Sequence, residues 1–221
     1  LLDTGFPQDE GQFLQHVYPL ASVVGGEFSY AYREANHYTE DMPLATVKSR
    51  DSLWKSWSSH WDLSKTGLLE KSPPHTIKTR FFQALFTPEN TYFVGIIRHP
   101  LASTHYIYSN PKSQQKLASH CGHHFVDHWL HTYRALKEDV KHLRHFRMIQ
   151  YETLTSDATA AKSISNQLLD FLGFDRSGLN PEIFGSSSSS GRKLHGYEGD
   201  KHHVRISFSK PHWKGDFLRK C

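Results

Sequence analysis

Cysteine is nearly absent. The 221 residues contain two, Cys121 and Cys221, far apart in sequence. That spacing excludes a local metal motif. It leaves both a disulfide and two free thiols open, and it does not set a redox compartment. No apolar run is long enough to span a membrane, no Asn-x-Ser/Thr sequon occurs, and no signal peptide is present. Charge of one sign is not concentrated either: 26 Lys and Arg face 22 Asp and Glu, a net charge of +4 with His neutral. Such a mild excess favours an anionic ligand, and it lacks the dense basic stripe of a nucleic-acid binder. The chain opens on Leu1-Leu2 without an initiator Met and ends on Cys221, which reads as a fragment of a longer protein. A targeting segment would then lie upstream.

What is present suits a soluble globular unit, with 37% hydrophobic and 22% charged residues. The length fits a single domain over residues 1–221. The 17 histidines stand out, since imidazoles near their ordinary pKa would add positive charge as pH falls.

Hydrophobic periodicity divides the chain into alternating elements. Pro7 to Gly25 places Phe13, Leu14 and Val17 on a helix face behind an acidic first turn. Tyr30 to Arg50 is polar and irregular, a loop or lid. Asp51 to Leu63 puts Leu53, Trp54, Trp57 and Trp61 on one helical face, where core packing is the favoured reading. "GLLE", Gly67 to Glu70, is a short strand, and Thr76 to Phe86 is an amphipathic helix. Tyr92 to Ile97 is continuously apolar and β-branched or aromatic, as in a parallel strand covered on both faces. Cys121 to Leu143 is a long helix, Phe146 to Tyr151 a strand, and Asp157 to Leu172 a helix stopped by Gly173. The alternation predicts an α/β layer fold with a parallel sheet. Ser186 to Gly191 is a low-complexity, serine-rich loop.

In open parallel sheets, ligands bind beyond the C-terminal ends of the strands. One predicted strand ends in Glu70-Lys71-Ser72-Pro73-Pro74. Another ends in Arg98-His99-Pro100, with Ser103 and Thr104 one turn on. Arginine offers a rigid fork of donors to a phosphate. Pro100 suits the first turn of a helix, whose N-terminus adds a positive dipole end. These parts form a phosphate clamp. An arginine paired with a carboxylate at a strand end explains the spacing equally well.

"EKSPPHTIKTRFFQALF" followed by "FVGIIRHPLAST" resembles the sulfotransferases that use 3′-phosphoadenosine 5′-phosphosulfate (PAPS). "QYETL" followed by "LLDFLGF" resembles the later part of that domain. "DTGFPQDEGQFLQHVYP" is similar to the segment after the family's phosphate-binding loop. The resemblance implies a P-loop-like three-layer fold, a central parallel sheet flanked by helices, with its N-terminal strand and loop missing here. It implies transfer of a sulfuryl group from PAPS to a hydroxyl or amine of a carbohydrate or protein acceptor. No metal, no nucleic acid and no membrane segment within this chain are implied. Family members often work in the Golgi lumen or elsewhere in the secretory pathway.

Residue by residue, Arg98 matches the arginine that grips the 3′-phosphate. Its usual serine partner lies eight residues on, where this chain has Tyr106, so Thr104 and then Ser103 take that role. Lys71 matches a lysine near the leaving oxygen, where charge develops as the bond breaks. A surface lysine beside Glu70 is the plain alternative. Glu10 matches the catalytic base, with Asp9 as fallback, although acids also stabilise a helix's first turn without catalysis. Arg192 and Lys193 in "GRKLHGYEG" match basic residues of a C-terminal element that contacts the 3′-phosphate. The 5′-phosphosulfate loop has no counterpart, since Gly25-Gly26 lacks a basic residue. Acceptor specificity is expected from Tyr30 to Leu63 and from the Ser-rich loop.

His120, His124, His128 and His131 recur on one helix at spacings that could share a metal. No HExxH pattern accompanies them, and a half-buried polar helix face is the favoured reading. Two other functions stay open. One is a P-loop phosphotransferase, with Glu70 and Glu152 as Mg²⁺ carboxylates. The other is a non-catalytic or truncated relative that binds an anionic nucleotide.

Overall fold

The computed structural model describes residues 9–26, 28–109 and 122–174. Thr46 starts its first long helix. The Thr46 hydroxyl accepts the Ser49 N–H at 3.2 Å and caps α1, Val47–Ser58. Four residues that looked like loop therefore belong to the helix. Leu53 and Trp57, one turn apart, are buried. Trp61 lies past the helix end and folds back on Trp57, with ring centroids 5.8 Å apart. The expectation that Trp54 also joins the core fails, because its ring is 44% exposed.

Pro73–Ile77 forms a 3₁₀ turn whose first positions are proline, where a missing N–H costs nothing. It leads into α2, Thr79–Phe86, which buries Phe81, Phe82 and Leu85. Together with Tyr18, Tyr38, Leu53 and Trp57 they form the main core. The rings meet edge-on, for example Tyr18 on Phe81 at 6.3 Å and 88°, the arrangement their quadrupoles favour.

β1, Phe93–Ile97, and β2, Phe146–Gln150, pair in parallel, with Phe93 opposite Phe146 and Ile97 opposite Gln150. Parallel strands need a long crossover. Here it contains α3, Pro100–Ser109, and α4, Gly122–Asp139, the latter prolonged by a 3₁₀ turn over Val140–His142. Pro100 is the first residue of α3, as its missing N–H predicts. A short α5, Tyr151–Leu154, follows β2. α6, Ala158–Leu172, is capped by the Asp157 carboxylate and ended by Gly173 in left-handed backbone, φ 69°. The architecture is mixed helix and strand, with helices around a small parallel sheet. No helix among the described residues is long and apolar enough to cross a membrane.

Further expectations are corrected. β1 is not covered on both faces: Val94 is 39% and Ile96 54% exposed, so its burial alternates. "GLLE" forms no strand. The Leu69 carbonyl accepts the Trp61 indole N–H at 3.0 Å instead of a ladder bond. The predicted helix between Pro7 and Gly25 is reduced to a 3₁₀ turn over Gly11–Leu14, followed by irregular turns. Side chains have taken the backbone groups that a helix would pair. Gln15 accepts from the N–H groups of Val17 and Tyr18 and donates to the Gln12 and Tyr18 carbonyls. The Tyr30 to Arg50 stretch is better anchored than a lid. Asn36 donates to the Val24 and Tyr30 carbonyls, and Tyr30 and Tyr38 are buried.

Candidate functional site

The peptide after Glu10 and the loop around Lys71 are held together by one carboxylate. Glu70 Oε1 accepts the Gly11 N–H at 2.9 Å and the Ser72 hydroxyl at 2.6 Å. Its Oε2 lies 2.5 Å from His75 Nδ1, and His75 Nε2 lies 2.7 Å from the Tyr18 hydroxyl. Burial pushes the Glu70 carboxyl up, but the charge of His75 and the bonds from His75, Ser72 and Gly11 outweigh it and hold it below the usual range. From the other side, Trp57 Nε1 donates to the Gly11 carbonyl at 3.0 Å.

This lacing brings Glu10 and Lys71 together. Lys71 Nζ lies 3.3 Å from Glu10 Oε1, across 61 residues of sequence. The other Glu10 oxygen accepts from Gln12 Nε2 at 2.5 Å. The Glu10 side chain is nearly buried, while Lys71 is 53% exposed. The pair is therefore a partly sheltered carboxylate with an ammonium at its open side. Glu10 makes no side-chain capping bond to the short turn that follows it. Asp9, the fallback base, sits just before it in left-handed backbone, φ 46°, which aspartate tolerates.

Gly11 is required by closeness rather than by conformation. A Cβ there would lie 2.8 Å from Glu70 Cγ and 2.9 Å from Trp57 Nε1. Gly11→Ala should therefore cost about 1–3 kcal/mol, the usual range for overpacking, as read by urea denaturation. A variant as stable as the parent would mean that Glu70 and Trp57 yield freely.

The second cluster lies at the C-terminal ends of β1 and β2. The Arg98 guanidinium stacks over the Tyr151 ring at 4.6 Å, and the Arg98 carbonyl accepts from Trp129 Nε1 at 3.0 Å. The next N–H, of His99, donates to Glu152 Oε1 at 2.8 Å. Burial pushes the Glu152 carboxyl up, but the His99 bond and the nearby Arg98 and His99 charges hold it below its ordinary value. Among the described residues, its second oxygen is buried without a hydrogen-bond partner. His99 Nδ1 accepts the Leu101 N–H at 3.3 Å, at the start of α3. Arg98 thus occupies the expected strand end, with both an aromatic face and a carboxylate close by. Thr104 is 1% exposed and its hydroxyl donates to the Pro100 carbonyl at 2.7 Å. Ser103 is half-buried and lies nearer solvent.

Consecutive residues of α4 support the two clusters. His128 packs on Tyr30, ring centroids 4.5 Å apart, and the Tyr30 hydroxyl donates to the Pro73 carbonyl at 3.3 Å. Trp129 bonds the Arg98 carbonyl. His128 is buried, which pushes its imidazole down to about 4, helped by the charges of His124 and His131. It accepts the Ala31 N–H on Nε2 at 3.4 Å, as a neutral ring can. His124 lies 2.9 Å from the Ser29 hydroxyl. Among the described residues, no group of three or more His, Cys, Asp or Glu is placed to hold a metal ion. Arg192, Lys193, His120, both cysteines and the Ser-rich loop at 186–191 lie outside the described residues.

Sequence reasoning treated Glu70 as a neighbour of Lys71 and as a possible Mg²⁺ ligand. Its oxygens are instead filled by Gly11, Ser72 and His75. Tyr18 and His75 were not singled out. The only signal was a histidine five residues after Glu70 in "EKSPPH". No family model, curated protein or solved structure matches this chain.

Proposed function

We propose that this chain is a sulfotransferase domain that uses PAPS, built as a P-loop-like three-layer fold around a parallel sheet that includes β1 and β2. One observation carries the reading. Glu10 and Lys71, matched separately to a base and a leaving-group lysine, meet at 3.3 Å. Arg98 adds support from its place between the end of β1 and the start of α3.

PAPS would lie across the strand ends. Arg98 would grip the 3′-phosphate, with Ser103 as the accessible hydroxyl and Thr104 behind it. Arg192 and Lys193 would add charge to the same group. Lys71 would stabilise the bridging oxygen as the sulfur–oxygen bond breaks. Glu10 would take the proton of the acceptor hydroxyl or amine as that oxygen or nitrogen attacks sulfur. Residues 1–221 hold no counterpart of the phosphosulfate loop, and the reading places the enzyme in the Golgi or elsewhere in the secretory pathway. The acceptor is a carbohydrate or a protein. A second reading, a non-catalytic relative that binds an anionic nucleotide, is favoured by the contacts already engaging Arg98 and by the inward turn of Thr104.

Calorimetric titration with 3′-phosphoadenosine 5′-phosphate, the PAPS product, tests the nucleotide site. Binding should weaken about 10–100-fold in Arg98→Ala, the worth of one or two charge-assisted hydrogen bonds. Equal binding by the mutant would remove Arg98 from the site. No binding by a folded, N-terminally extended chain would end the sulfotransferase reading.

A further inference from the structure

The small sheet and the helix after it are thinly covered. Among the described residues, Ile149 is the one buried apolar side chain of β1, β2 and α6. Phe93 packs on the main core, and side chains alternate along a strand, so Val94 and Ile96 point to the opposite face. Both are exposed there, and Tyr92 continues the stripe, 42% exposed. α6 covers only the β2 side of that face. Arg147, opposite Val94, bonds Gln167 of α6, and Ile149, opposite Ile96, is buried. Phe171 of α6 meets Tyr92 edge-on at 5.6 Å, and Phe174, after which the described residues end, follows three positions on. Parallel strands are normally covered on both faces, so this stripe of three large apolar side chains beside a helix calls for an occupant.

We propose that residues 204–208 of this chain dock on that open face of β1, with Val204, Ile206 and Phe208 seated on Tyr92, Val94 and Ile96. The segment reads His203-Val204-Arg205-Ile206-Ser207-Phe208-Ser209, apolar at every second position. Extended, such a segment presents three large apolar side chains on one side, about 6.6–6.8 Å apart, the repeat of the stripe itself. Arg205 and Ser207 then face water. Val204 lies 30 residues after Phe174, and a connection of that length spans up to about 100 Å, so reach is no restriction. The connection starts near the Tyr92 end of the stripe. The segment's effective concentration there is on the order of millimolar, which favours it over a second copy at micromolar protein. Docking would also hold Arg192 and Lys193, 12 and 11 residues before Val204, within reach of Arg98, two residues beyond Ile96. That consequence rests on the sulfotransferase reading. The docking itself does not.

The experiment is photo-crosslinking of the full chain with p-benzoylphenylalanine in place of Ile96, as an equal mixture of ¹⁵N-labelled and unlabelled protein, read by peptide mass spectrometry. Adducts should fall within residues 204–208 of the same chain and should favour Val204, Ile206 and Phe208 over Arg205 and Ser207. Amide hydrogen exchange gives a second readout without the probe. Ile206→Asp should speed exchange of the β1 amides about tenfold or more and leave those of α2 unchanged, because only the local cover is lost. Ser207→Asp, on the outward side, should change neither. Adducts joining labelled to unlabelled chains would make a second copy the occupant and overturn the inference. Adducts only outside 204–208, or β1 exchange unmoved by Ile206→Asp, would overturn it too. Product-nucleotide binding without adducts in 204–208 would sink this inference alone. Those adducts in an N-terminally extended chain that binds no nucleotide would sink the sulfotransferase reading and leave the docking standing.

Discussion

Glu10→Gln should lower sulfuryl-transfer turnover about 10²–10⁴-fold, the usual worth of a positioned general base, with product-nucleotide affinity unchanged. The substitution keeps the side chain's size and can keep its contact with Gln12, while it removes both the charge that accepts a proton and the ion pair with Lys71. Lys71→Met separates the two roles. It should lower turnover with acceptors of every acidity, whereas loss of Glu10 should be felt least by the most acidic acceptors. The assay is single-turnover transfer from PAPS in protein that carries the upstream loop. A Glu10→Gln enzyme that turns over normally would return Glu10 to a structural role, holding Lys71 and Gln12 in place.

Lys78→Met should stabilise the fold in a pH-dependent way. Lys78 is 2% exposed. Its ammonium reaches the Pro74 carbonyl at 3.5 Å and lies 5.8 and 5.1 Å from the Tyr18 and Tyr38 ring centroids. Burial pushes its pKa down from 10.5 to about 8. Below pH 8 both the folded and unfolded chains hold the proton, and the folded chain bears the full cost of a buried charge. Between pH 8 and about 10.5 the folded chain loses the proton first, unfolding takes one up, and stability rises with pH. The shift corresponds to about 3 kcal/mol, reduced by roughly 0.5–2 kcal/mol of lost cation–π attraction. Lys78→Met should thus stabilise the protein by about 1–3 kcal/mol at pH 7, with the gain shrinking to near zero or below by about pH 10.5. Urea denaturation of both proteins at the two pH values measures it. A constant difference would mean that Lys78 finds water in the folded state.

The legible parts of the fold were those set by neighbours in sequence. Asp157 and Gly173 bracket α6 because a cap and a left-handed glycine act locally. Pro100 fixed the start of α3 for the same reason. β1 stood out by its apolar run, although the exposure of Val94 and Ile96 could not be read from it. The failures share a cause at long range. The helix expected near Gln15 lost to side-chain bonds and to partners some sixty residues away, Glu70 with Gly11 and Ser72 with Gln12. Glu10, Lys71 and Arg98 are candidates by pattern alone. The Glu70–His75–Tyr18 chain beneath the first two was hidden, because its three members are ordinary residues until the fold aligns them.

The Glu70 carboxylate also bears on how the chain folds. Its bond to Gly11, the Ser72 bond to Gln12 and the Lys71 pair with Glu10 span 59, 60 and 61 residues. One loop-closure entropy serves all three, because once the first forms the others are already nearly closed. None of them is rewarded by local helix or turn formation, so they belong to the late, high-contact-order stage of folding. The stretch between them contains α1 and the turns that bring Tyr30 and Tyr38 into the interior. Glu10 and Lys71 therefore meet only after that stretch has been ordered, and a nascent chain acquires the pair only once residue 72 has joined the folded part.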